Sequence, residues 1–334
     1  MKALIYQGVR NVAYKEVGKP TIGSYDCLVR NVRSGICGSD MTAYEVDGKY
    51  VGIAVGHEFV GYVAEVGENV EGVSVGDRVW VNPCRSVKET WQSDMAGGFS
   101  EYAVVHNAKY NDSLWKLPDS LSYDDAVLIE PFCVATHGKN RARCKPEDKV
   151  VIYGAGIIGT LALCSLVAQG NKKVVVVDRS KPRLEMAQSI GAIPFDTGSG
   201  EDLTVFLQKT FGTVDINGYH SADVDAVIDC IGAPALFEQF TEFAKPGARY
   251  AVVAVYKQPV SLDFATVMSE EFEILGSRGY NEKDIREVIN NLSRRTPKGI
   301  ETVVTHTFPL CEATKAFETA CNRDAAMKVV FNME

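Results

Sequence analysis

A histidine and a glutamate stand side by side in "AVGHEFVGYVAEVG", residues 54–67, inside a run whose valines and glycines read as a strand. Two groups of the same chemical kind lie on either side of them in the chain. Cys37 is followed by Ser39 and Asp40 in "SGICGSDMTAY", and Glu130 precedes a proline in "LIEPFCVATHG". Thiolate, imidazole and carboxylate are all ligands that zinc accepts, and three protein ligands with one open position make a catalytic site rather than a structural one. Taken singly, His57 reads first as a hydrogen-bonded core histidine and Cys37 as a small buried apolar residue. Glu58 resists such a reading, because a buried carboxylate without a partner is costly.

A second constellation is "GAGIIG", which supplies Gly154, Gly156 and Gly159. A strand-like run precedes it, an apolar helical run follows, and Asp178 ends the next strand-like run about 20 residues on, the spacing of a dinucleotide fingerprint. Gly154 permits a tight turn, Gly156 lets a pyrophosphate approach the backbone, and Gly159 lets helix and strand pack closely. The helix N-terminus then offers free N–H groups and a positive dipole end to phosphates. Asp178 accepts hydrogen bonds from a ribose and repels a 2′-phosphate, which favours NAD over NADP; the adjacent Arg179 works the other way.

The elements that must position these groups change in texture near Pro146. Before it come short β-rich runs with glycine punctuation, such as "DCLVRNVRSG" and "DRVWVNP", which suggest a small barrel or sandwich. After it, "KVVIYGAGIIGTLALCSLVAQG", "KKVVVVDRSKPRLEMAQSIGA" and "VDAVIDCIGAPALFEQFTEFAKPGARYAVVAVY" alternate strand and helix, the pattern of a parallel sheet covered on both faces. A further helix is expected from Glu282 to Leu292, and the closing "MKVVFN" reads as a strand that completes either domain. The 334 residues, 46% hydrophobic and 23% charged with a net charge of -8, describe a soluble globular chain without a nucleic-acid-binding charge pattern. No apolar run reaches membrane-spanning length, and the stretch "MKALIYQGVRNVAYKEV" lacks the continuous apolar segment expected of a signal peptide. Nine scattered cysteines without a close pair suit reduced thiols in a cytoplasmic protein.

"GHEFVGYVAEVGENV", with "CGSD", "IEP" and "GAGIIG", resembles the zinc-dependent medium-chain dehydrogenases of the alcohol dehydrogenase superfamily, over nearly the whole chain. The acid before Pro131, where simple alcohol dehydrogenases carry cysteine, is similar to the polyol branch: sorbitol, galactitol-phosphate and L-galactonate-type dehydrogenases. The resemblance implies an α/β fold. A GroES-like catalytic zinc domain would span 1–133 and 275–334, and a Rossmann doubly wound parallel sheet binding NAD would span 134–274. It implies that Cys37, His57 and a Glu58 carboxylate hold Zn²⁺, with Glu130 on the metal or on its water. Which glutamate binds directly stays open.

The resemblance also assigns residues around that metal. Ser39 would take the substrate proton, with Asp40 anchoring a ligand and Glu130 in the catalytic set. Gly154, Gly156, Ile157, Ile158, Gly159, Asp178, Arg183, Val253, Val255, Ser277 and Arg278 would meet the cofactor. Tyr44 and Phe99 are candidates for the substrate wall, although most aromatic residues belong to a core. Two departures stand out. The segment after Val81 has Cys84 alone where relatives carry four cysteines, so one catalytic zinc and no structural zinc is expected. Thr42 stands where relatives commonly place a histidine that relays the proton. The implied activity is hydride transfer between NAD and a secondary alcohol of a polyol, sugar acid or similar small polyhydroxy substrate. The alternatives are a threonine or simple secondary-alcohol dehydrogenase and a non-catalytic dinucleotide-binding protein. Relatives also pair Rossmann sheets across subunits, so a homodimer or homotetramer is expected.

Overall fold

The structure, a computed structural model, describes residues 1–46, 56–86, 97–216 and 219–334. They fall into two compact units: Met1–Glu130 with Ile285–Arg294 and Glu301–Glu334, and Pro131–Asp284 with Arg295–Ile300.

The first unit holds a seven-stranded β-sheet and a separate antiparallel pair, Lys2–Gly8 with Asn11–Glu16; the seven-stranded sheet carries the site. Its strands lie in the order Val304–Pro309, Lys328–Asn332, Cys27–Gly35, Glu58–Val66, Arg78–Val81 and Leu114–Lys116, and Tyr102–Val105 also pairs with Cys27–Gly35. The long central strand Cys27–Gly35 is buried at seven of nine positions, so both its faces are covered rather than one. Under one part of the sheet an aromatic cluster gathers Tyr6, Tyr44, Phe99, Phe317 and Phe331. Burying each of these rings fully contributes about 1.5–3 kcal/mol. The terminal strand Lys328–Asn332 runs antiparallel to Cys27–Gly35, with Val330 opposite Gly35. The tail therefore completes this unit.

The second unit is a parallel sheet with helices between its strands. We number its strands β1 (Val150–Tyr153), β2 (Val174–Asp178), β3 (Ile193–Asp196), β4 (Ala226–Asp229), β5 (Arg249–Val252) and β6 (Glu273–Gly276). Their spatial order is β3-β2-β1-β4-β5-β6, and every neighbouring pair is parallel. This is the doubly wound order, whose direction reverses between β1 and β4; ligands bind at the carboxyl ends of the strands there. Two features were not read from the sequence. β3, "IPFD", is short and contains a proline, which its edge position tolerates. An antiparallel hairpin, Thr213–Ile216 with Tyr219–Ala222, precedes β4. Among the described residues no helix is long and apolar enough to cross a membrane.

Candidate active site

Strand register in the first unit brings the ligand-type residues together. Gly35 pairs with Glu58, so the end of Cys27–Gly35 and the start of Glu58–Val66 lie side by side. The chain leaves Gly35 through Ile36 into the helix Gly38–Glu45, with Cys37 at the helix N-cap. One donor atom from each of Cys37, His57 and Glu58 lies within 4.8 Å of the others. Asp40 braces this corner. One of its oxygens accepts the Cys37 N–H at 2.9 Å, and the other lies 3.9 Å from His57 Nδ1. The Asp40 backbone oxygen in turn accepts the Tyr6 hydroxyl at 2.9 Å.

The charges here are crowded. Burial opposes a proton on His57, yet the charges of Cys37 and Asp40, with Glu130 adding to them, hold its pKa well above the ordinary value. Burial pushes the Asp40 carboxyl up, and pushes Glu130 up to about 7 against the pull of His57. Glu130 stands close enough to feel His57 and Glu58 but outside the three-residue donor group.

The residue the sequence reading missed is Lys328. Its ammonium is buried, donates to the Ile36 carbonyl at 2.9 Å, and forms an ion pair with Glu58 Oε2. Space for it exists because Gly35 has no side chain: a Cβ there would stand 2.8 Å from Lys328 Cε. The other Glu58 oxygen, Oε1, is buried with no hydrogen-bond partner among the described residues. That orphaned oxygen, beside a thiol and an imidazole, fits a divalent zinc. So does the local charge, since several buried acids face one lysine.

In the second unit, Gly154 adopts φ +97°, and a Cβ on Gly159 would stand 1.8 Å from the Gly154 oxygen. Gly156 precedes the helix Ile157–Gln169 and offers no side-chain cap, leaving the first N–H groups, beginning with those of Ile157 and Ile158, for a ligand. Arg183 Nη1 lies 3.6 Å from where a Gly156 Cβ would be. Asp178 closes the turn by accepting from Ala155 N at 2.7 Å and from Arg179 N and Ser180 N at 2.7 and 2.8 Å. At the far side of the same edge, Val253 N bonds to the Asp229 carbonyl and Val255 is 86% exposed. Ser277 N bonds to the Val252 carbonyl, while its buried hydroxyl has no partner among the described residues. Arg278 is exposed.

Other expectations fare unevenly. Ser39 is exposed on the first turn after Cys37. Thr42 turns its hydroxyl back to the Gly38 carbonyl at 3.0 Å. Tyr44 and Phe99, read as candidates for a substrate wall, are instead core: each packs on Phe317 in the aromatic cluster. Cys84 is exposed, and the stretch 87–96 that follows it lies outside the described residues. His137 Nδ1 meets the buried Asp284 carboxylate at 2.8 Å.

A fold of this order and a donor set of this kind define a zinc-dependent dehydrogenase with a dinucleotide-binding sheet. The chain belongs to the zinc-dependent medium-chain dehydrogenase family. Residues 23–119 match the alcohol dehydrogenase GroES-like domain and residues 158–294 the zinc-binding dehydrogenase family. The starvation-sensing protein RspB of Escherichia coli K12 is 30% identical over 95% of this chain and 96% of its own. Sorbitol dehydrogenase 2 of Saccharomyces cerevisiae is 29% identical over 95% and 93%. The rspB alcohol dehydrogenase of E. coli CFT073, solved with its cofactor NADH, superposes with a TM-score of 0.84 at 28% identity, over 100% of this chain and 99% of that one. Zinc and NAD are the cofactors this membership carries.

Proposed function

We propose that the chain transfers hydride between NAD and a secondary alcohol of a polyol, sugar acid or similar polyhydroxy compound. The observation that carries this reading is the convergence of Cys37, His57 and Glu58, with Glu58 Oε1 unpartnered. The kinship with sorbitol dehydrogenase 2 supports the substrate class. In this reading Cys37, His57 and Glu58 hold the metal, and Glu130 contributes a fourth ligand or holds water there. When bound, zinc supplies the Lewis acidity that acidifies an alcohol oxygen, and NAD supplies the hydride acceptor. Asp40 keeps the His57 ring and the Cys37 backbone in place. The exposed Ser39 hydroxyl accepts the substrate proton and hands it to water, since Thr42 is engaged with Gly38 and is no base near neutral pH. Gly154, Gly156, Gly159 and Asp178 hold the pyrophosphate and adenosine ribose.

We also propose a cytoplasmic homo-oligomer built on β6. This strand is the sheet edge, Ile274 on it is 38% exposed, and the preceding helix Phe264–Ser269 exposes Phe264 and Met268 at 71% and 72%. An uncovered apolar edge invites another strand.

A panel of sorbitol, galactitol, L-galactonate, inositol, threonine and butanediol with NAD tests the substrate. Turnover confined to threonine or butanediol would replace the polyhydroxy reading. Metal analysis is expected to return about one zinc per chain. Cys37→Ser is expected to lose the zinc and nearly all turnover while still binding NADH; wild-type kcat in that variant would remove the metal cluster from the chemistry.

A further inference from the structure

Asp229 ends β4 at the carboxyl edge of the second unit and is 0% exposed. Apart from one bond from Tyr250 inside β5, the hydrogen bonds it receives come from the loops of that edge. Its Oδ1 accepts the N–H groups of Ile231 and Gly232, at 2.9 and 3.0 Å, in the turn after β4. Its Oδ2 accepts the hydroxyl of Tyr250 on β5 at 3.1 Å and that of Tyr256, in the loop after β5, at 2.6 Å. The two hydroxyls are 3.3 Å apart. The Asp229 carbonyl accepts Val253 N and Ala254 N at 3.1 and 3.0 Å. One residue thus ties two loops together, and they touch: a Cβ on Gly232 would stand 3.0 Å from Ala254 Cβ.

These loops are next to the glycine turn. A Cβ on Gly154 would stand 2.8 Å from Ile231 Cγ1. Yet Ile231 is 48% exposed and Val255 86%, apolar surface at an edge that otherwise carries polar backbone. The sheet order decides what would cover them. Asp178 marks the adenosine side, at β2, and the glycine turn after β1 marks the pyrophosphate. A dinucleotide crossing the switch point therefore lays its other half over the ends of β4 and β5.

We propose that Asp229 and Tyr256 are positioning residues that clasp the two loops into the platform for the nicotinamide half of NAD. This rests on siting the cofactor at the carboxyl edge. The Tyr256 hydroxyl is the part of the clasp that can be removed most gently, because Tyr250 and both backbone amides still satisfy Asp229. Loss of one hydrogen bond to a charged group is expected to weaken the platform by about tenfold in affinity.

The test uses the full chain and two ligands. NADH is titrated by fluorescence and ADP-ribose, which lacks the nicotinamide, by calorimetry, against wild type and Tyr256→Phe. The expected result is a dissociation constant for NADH raised about tenfold with that for ADP-ribose within about twofold of wild type. An equal loss for both ligands, or an unchanged NADH affinity, would overturn the clasp. A wild-type chain that bound neither ligand would overturn the siting of the cofactor, and the clasp with it.

Discussion

Glu58 carries two oxygens with different surroundings: Oε2 takes the buried ammonium of Lys328, and Oε1 takes nothing among the described residues. A buried ion pair costs much of its attraction in desolvation, but breaking one leaves an uncompensated charge, at about 3–5 kcal/mol. Lys328→Met is therefore expected to destabilise the metal-free chain by about that amount. A bound cation compensates Glu58 in the lysine's absence, so the loss should be smaller in zinc-loaded protein. Denaturant unfolding with and without a chelator checks this, and equal losses in both states would rule it out. At this scale the motif residues were legible and the lysine was not. Cys37, His57, Glu58 and Glu130 sit in short signatures, whereas Lys328 opens "KVVFN" and reads like an ordinary charge at a strand end. The one available signal was a single lysine among apolar residues in a terminal strand.

The glycine turn depends on contacts between its own neighbours. With 1.8 Å between a Gly159 Cβ and the Gly154 oxygen, the obstruction is backbone and cannot swing aside. Gly159→Ala is expected to cost more than about 2 kcal/mol of stability and to weaken NADH binding at least about tenfold. An NADH titration beside an unfolding curve measures both, and wild-type affinity in the variant would contradict the role given to the turn. This element was legible because strand, turn, helix and acid lie within one short stretch of chain. β3 and the hairpin Thr213–Ile216/Tyr219–Ala222 were not. Each strand has four residues, too few for a periodicity to show, and both are held by pairing with a neighbour.

For the whole molecule, the uncovered edge at β6 leads to an expectation about assembly. Replacing Phe264 and Met268 together by glutamate is expected to leave monomers where wild type sediments as a dimer or tetramer. Analytical ultracentrifugation decides it, and a monomeric wild type at micromolar concentration would sink the proposal. The sequence by itself determined the alternation of elements, the dinucleotide turn and the types of group available for a metal, because all of these are written in residues a few positions apart. Only the tertiary structure decided which of those groups meet. Lys328 reaches Glu58 across 270 residues. The pairing of Gly35 with both Glu58 and Val330 sets that meeting, since strand register alone brings remote side chains to one face. Tyr44 and Phe99 became core for the same reason: an aromatic ring in a sequence carries no mark of which neighbours will cover it.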